Sequence, residues 1–109
     1  MVAHSNHIRP EIQKFKSFLV NHFGKRFSGL VLFGSHARNQ ARPDSDVDLL
    51  LILKEKTTGN EEYREVLPMI SNFLLETGML LSVTIKTESE LENQKEGLLK
   101  TISSEGILI

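Results

Sequence analysis

Apolar positions in the first third of the chain fall at helical intervals. Ile8, Ile12, Phe15 and Leu19 recur three or four residues apart with Lys14, Lys16 and Asn21 elsewhere, which predicts an amphipathic helix ending near Gly24. The period then changes. Leu30-Val31-Leu32-Phe33 and Val47-Asp48-Leu49-Leu50-Leu51-Ile52-Leu53 are short aliphatic runs bounded by Gly, Pro and Asp, and each predicts a buried central strand. Gly34 breaks the first run, Ser35-His36-Ala37-Arg38-Asn39-Gln40 can open a short helix, and a polar loop follows through Arg42-Pro43-Asp44. Thr57-Thr58-Gly59-Asn60 predicts a loop with Asn60 as an N-cap. Tyr63, Val66, Leu67, Ile70, Phe73 and Leu74 mark a second amphipathic helix closed by Gly78, which Pro68 is expected to kink or divide. Leu80 to Lys86 predicts a third strand, and a Ser/Glu-rich helical stretch follows with Leu91, Leu98, Leu99 and Ile102 as its sparse apolar members. Gly106-Ile107-Leu108-Ile109 reads as an edge strand completing the sheet, in preference to a partner contact. There is no internal repeat and no low-complexity tract. This mixed order predicts an α/β (α+β) fold with a three- to four-stranded sheet flanked by helices.

The chemistry gathers where the two strands end and begin. Gly34-Ser35 closes the first strand, and ten residues later Asp46-Val47-Asp48 opens the second. Glycine lets backbone N–H groups come close to phosphate oxygens, and the Ser35 hydroxyl can donate to the same oxygens. Asp46 and Asp48 alternate with Val47, so both carboxylates project from one face while Val47 packs on the other. Two hard oxygen donors beside a triphosphate pocket suit Mg²⁺, which commonly takes one or two carboxylates with phosphate oxygens and water. Arg38 and Arg42 stand where they can clamp the triphosphate. A lone Gly-Ser or a lone Asp-x-Asp would be weak. Unpaired carboxylates entering an apolar strand cost several kcal/mol, roughly, and a bound metal gives the pair a reason.

Gly34-Ser35-His36-Ala37-Arg38 followed by Arg42-Pro43-Asp44-Ser45-Asp46-Val47-Asp48-Leu49 resembles the signature of the nucleotidyltransferase superfamily related to DNA polymerase β, within it the minimal nucleotidyltransferases. These are similar to the antitoxin halves of two-gene modules whose other half is a small helical HEPN ribonuclease. The likeness spans nearly the whole chain, and its specific part is residues 34 to 48. It implies a nucleotidyltransferase palm and a metal-dependent transfer of AMP from ATP to a tyrosine hydroxyl of a HEPN partner. Asp46 and Asp48 would be catalytic metal ligands, and Gly34, Ser35, Arg38 and Arg42 would bind the nucleotide. Two positions depart from the family pattern. Asn39 replaces a usual glycine and tolerates a left-handed backbone, so the turn is expected to persist. By register against the family, Ser82 stands where a third carboxylate is usual. That change weakens turnover more than nucleotide binding, and it leaves open an alternative: a catalytically weak or inactive module that neutralises a toxin by binding it.

Composition narrows this further. A chain of 109 residues is expected to be one domain, 1–109, burying roughly two thirds of its unfolded surface. Cysteine is absent, so there is no disulfide framework and no thiolate metal site. Met1 to Pro10 lacks an apolar targeting core and no run is long enough to span a bilayer, which gives a cytoplasmic expectation without a membrane partner. The net charge is only −1, but residues 1 to 43 hold seven Lys/Arg against Glu11 alone, while residues 44 to 109 hold six against thirteen acids. The basic first third can attract triphosphate or an acidic partner. With one tyrosine, no tryptophan and no overall basic excess, a nucleic-acid role has little support.

The remaining polar residues carry plainer readings. His4, His7, His22 and His36 read as surface or packing residues, Lys25-Arg26 as a solvated turn, and Tyr63 as helix-face packing rather than a self-modification site. After two helices and a sheet, little chain is left for an acceptor pocket, so the acceptor or its holder is expected in trans. Which nucleotide is used, the acceptor's identity and homo-oligomerisation are not written in the residues.

Overall fold

A computed structural model describes residues 3–4, 9–34, 46–56, 61–93 and 106–109. The elements are β1 (Ala3–His4), α1 (Pro10–Phe23), a 3₁₀ turn (Gly24–Arg26), β2 (Phe27–Phe33), β3 (Val47–Leu53), α2 (Glu61–Thr77), β4 (Leu81–Thr87), α3 (Glu88–Asn93) and β5 (Ile107–Leu108). The predicted loop at 57–60 with its Asn60 cap, the short helix from Ser35 and the stretch holding Leu98, Leu99 and Ile102 lie outside the described residues.

The sheet order is β1-β5-β2-β3-β4. β2 runs antiparallel to both β3 and β5, whereas β3 and β4 are parallel, as are β1 and β5. The parallel pair follows from α2, because a strand can return in the same direction only through a crossover, and a helix is the usual one. The sheet is therefore mixed, with three full-length strands, as expected. The C-terminal strand differs from its expected place: β5 does not form the edge, because Ala3 and His4 pair on its outer side.

Alternation sorts each strand between two faces. Leu30, Leu32, Val47, Leu49, Leu51, Leu53, Leu81 and Ile85 join Ile12, Phe15, Leu19 and Phe23 of α1 and Val66 and Phe73 of α2 in the main core. The opposite face is smaller, with Val31 and Leu50 covered by Phe33, Ile52, Leu91 and Leu108. β3 is thus apolar on both sides and sits centrally, while β4 alternates apolar residues with Ser82, Thr84 and Lys86, as an outer strand does.

α2 runs without interruption through Pro68. Pro68 is exposed, so the Arg64 carbonyl that loses its helical donor can turn to water, and Val66 and Phe73 anchor both halves to the core. Its buried face also differs from the expected stripe. Tyr63, Val66, Ile70 and Phe73 of that stripe do pack on the core, but Leu67 and Leu74 are 55% and 40% exposed and the unexpected Glu62 is buried. Gly78 ends the helix at φ +74°, its N–H donating to the Leu74 carbonyl at 2.8 Å.

α3 begins with a reciprocal cap. The Glu90 N–H donates to Thr87 Oγ1 at 3.1 Å and the Thr87 N–H donates to Glu90 Oε1 at 3.0 Å. Lys56 Nζ lies 3.0 Å from the same Glu90 oxygen. Leu91 then reaches the second face of the sheet.

Candidate functional site

The C-terminal end of β2 and the N-terminal ends of β3 and β4 lie side by side. Phe33 pairs with Asp48 across the antiparallel ladder, and Asp48 pairs with Ser82 across the parallel one. The start of β3 is fixed by the Val47 N–H, which donates to the Leu80 carbonyl at 2.9 Å. Val47 is fully buried in the main core, so by alternation Asp48 points to the opposite face, where it is half-buried. Asp46 stands one residue outside the strand and is exposed.

Gly34 completes the corner. Its φ is +75°, and a Cβ built on it would collide with a carboxylate oxygen of Asp48 and lie 3.1 Å from the Asp48 Cγ. The backbone at the end of β2 therefore packs directly on the Asp48 carboxylate, and only a residue without a side chain leaves room. Gly34 of the expected turn and Asp48 of the expected acid pair thus lie against each other. Ser35, Arg38 and Arg42, the other expected nucleotide-binding residues, lie outside the described residues.

The donor set fits a hard divalent cation in part. Asp46 and Asp48 could offer two carboxylates, the second in room left by the missing side chain of Gly34, and the β4 neighbour could offer a hydroxyl from exposed Ser82. Among the described residues no three His, Cys, Asp or Glu side chains gather into a metal-holding group. The arrangement can hold a cation that brings phosphate oxygens with it, and it is poorer for a cation that depends on protein ligands alone.

Other groups have structural work. The Tyr63 hydroxyl accepts the Ile85 N–H at 2.9 Å, which covers part of the open edge of β4, in keeping with a packing role. His22 Nε2 is 3.4 Å from Glu65 and its ring packs edge-on against Phe23. Arg26 departs from the expected solvated turn: its Nη1 lies 3.5 Å from Oε2 of Glu62, which is 2% exposed, and its guanidinium stands 5.1 Å from the Phe23 ring centre. The signal for this was Glu62 itself, four residues before Val66 and thus on the helix's inward face. A cleft of about 630 Å³ between α1 and α2, floored by Phe15, Met69 and Phe73, lies on the helical side of the sheet, across the molecule from Asp48. Asp46 and Asp48 are not among the residues that line it.

Comparison with known proteins finds a matching family profile and several similar chains. The profile of the nucleotidyltransferase domain family matches residues 12–109. Two proteins of Methanocaldococcus jannaschii, both provisionally named protein adenylyltransferases, are similar. One is 33% identical over 75% of this chain and 89% of its own length, the other 29% identical over 77% of each. Among solved structures, a toxin–antitoxin complex with AMP-PNP contains a chain of the same fold, with a TM-score of 0.63 at 12% identity, covering 92% of this chain and 72% of that one.

Proposed function

The chain belongs to the nucleotidyltransferase domain family, and we propose that it transfers AMP from ATP to a hydroxyl group, a tyrosine's, on a helical HEPN-type partner that it restrains as an antitoxin. The observation that supports this reading is the close approach of the Gly34 backbone to the Asp48 carboxylate, the first residue of the turn that would hold phosphate beside the acid that would hold metal. The adenylyltransferase names of the relatives and the toxin–antitoxin setting of the structural neighbour support the choice of donor and of partner.

In this reading the turn at Gly34 and Ser35 cradles the triphosphate, Arg38 and Arg42 neutralise it, and Asp46 and Asp48 face its inner phosphates. Mg²⁺, when bound, would offset the charge that develops on the transferring phosphoryl group. The acceptor oxygen attacks the α-phosphorus, the bond to the β-phosphate breaks, pyrophosphate leaves, and the hydroxyl proton passes to water. The protein works by positioning, and the acceptor arrives on another chain in the cytoplasm. ATP carrying a radiolabel on its α-phosphate should label the co-expressed partner, with labelling lost in Asp48→Asn. Undiminished labelling by that variant would end this reading.

A second reading is favoured by the register of Asp48 with Ser82. With a hydroxyl where the family has a carboxylate, the chain would bind nucleotide and partner and neutralise a toxin by covering it, with little transfer. Ser82→Asp separates the two: a sharp rise in transfer over a near-zero background supports the binding module, and robust labelling by the unaltered protein rejects it. A small helical reading frame with an Arg-x4-6-His motif beside this gene would support the partner assignment in either case.

A further inference from the structure

Resting on the nucleotidyltransferase reading, we propose that the nucleotide-bound site holds a single divalent cation, and that Ser82 is the residue that leaves the second position without an anionic ligand. The backbone decides which residues are eligible. Asp48 and Ser82 are partners on parallel strands, so their side chains rise from the same face about 4.8 Å apart. Thr84 and Lys86, next on that face of β4, stand about 7 and 13 Å further along the strand. On the other side of Asp48 the ladder partner is Phe33. From Asp48, the sheet therefore offers a hydroxyl in one direction and an aromatic ring in the other. Among the described residues, Asp46 and Asp48 are the acids at this corner, and no described trio of metal-binding side chains includes them.

Two cations in such sites sit about 3.5–4 Å apart and repel each other strongly, and shared carboxylates are what hold them together. A cation that travels with the triphosphate keeps its phosphate oxygens and can accept a neutral protein ligand, as a Ser/Thr hydroxyl serves Mg²⁺ in other nucleotide sites. A second cation at the acceptor oxygen has no phosphate tail of its own. Its ligands here would be water, the acceptor hydroxyl and carboxylates already committed to the first. Lys86 on the same strand face adds positive charge further along. The balance favours one cation.

Ser82 is exposed, so an aspartate there enters water on one side and disturbs no core contact. The test counts Mn²⁺ by electron paramagnetic resonance on protein saturated with α,β-methylene-ATP, which cannot transfer AMP. The unaltered chain and Ser82→Ala should each hold one Mn²⁺ per bound nucleotide, and Ser82→Asp should hold two. Two ions in the unaltered chain, or one in Ser82→Asp with its unfolding temperature unchanged, would overturn the inference while leaving the nucleotide site intact. Failure of the unaltered chain to bind either nucleotide or Mn²⁺ would overturn both this inference and the reading beneath it.

Discussion

A methyl group at position 34 would need the space of the Asp48 carboxylate, in a left-handed backbone that costs an L-residue about 1–2 kcal/mol. Gly34→Ala therefore has two ways to fail, strain at the turn and displacement of the acid, and both act on the proposed nucleotide site. We expect the variant to keep its circular dichroism spectrum and to lose at least about tenfold in affinity for a fluorescent ATP analogue, since tenfold corresponds to only about 1.4 kcal/mol. Unchanged affinity would mean that the turn does not touch the triphosphate. The second residue-scale case is Glu62, 2% exposed with Arg26 at 3.5 Å. Removing the guanidinium in Arg26→Met costs the carboxylate a charged partner while keeping most of the packing on Phe23. Because the arginine side chain is itself 32% exposed, the loss should be about 2 kcal/mol, within the range for hydrogen bonds to charged groups, read as a lower urea midpoint. A midpoint equal to that of the unaltered chain would show that Glu62 needs no cation there.

At the scale of elements, capping and strand pairing explain which parts were legible in the residues. α1 ends at Phe23 and β3 spans Val47–Leu53 as expected, because local period and bounding Gly or Asp define both. The strand at Ala3–His4 was not legible, since two residues carry no period and exist as a strand only through pairing with β5, about a hundred residues away. Nor was the exact edge of the buried face of α2: Leu67 and Leu74 fit a helical stripe as well as Val66 and Phe73 do, and Glu62 turns inward beside Arg26 of a distant segment. The corner itself was legible through Gly34, Asp48 and Ser82, whose strand positions fix their register, whereas Ser35, Arg38 and Arg42 lie outside the described residues.

Two outcomes belong to these elements. Pro68→Ala restores a backbone donor inside an unbroken 17-residue helix and should stabilise the protein by about 1–3 kcal/mol, measured by denaturant unfolding. A destabilised variant would show that the helix needs the proline's fixed φ. At the start of α3, the Lys56 ammonium and then the Thr87 N–H hold the Glu90 carboxyl below its ordinary value of 4.5. A depressed folded-state pKa stabilises the fold above the unfolded value and is lost as pH falls through the folded one. Unfolding temperature should therefore decline below about pH 4.5 more steeply in the unaltered protein than in Glu90→Gln, which keeps an acceptor for Thr87 but cannot titrate. Parallel pH profiles would remove Glu90 from the acid response.

For the molecule as a whole, the corner joins three strands that also carry the main core, so what binds there should stabilise everything. Leu32, Val47, Leu49 and Leu81 lie on the core side of the same strand ends that present Gly34, Asp48 and Ser82. Unfolding must pull these ends apart, and a ligand that ties them together raises the free energy of doing so. A nucleotide–metal complex at a hundred times its dissociation constant should add about 2.7 kcal/mol. For a domain near 100 residues that is a rise in unfolding temperature on the order of 10 °C. Mn²⁺ with α,β-methylene-ATP should produce this rise in the unaltered chain and little of it in Asp48→Asn, each measured against its own ligand-free unfolding temperature. A ligand bound in the cleft between α1 and α2 would stabilise both proteins equally, because Asp48 faces the other side of the sheet. An equal shift in the two proteins would therefore move the nucleotide away from the strand ends and to the helical layer.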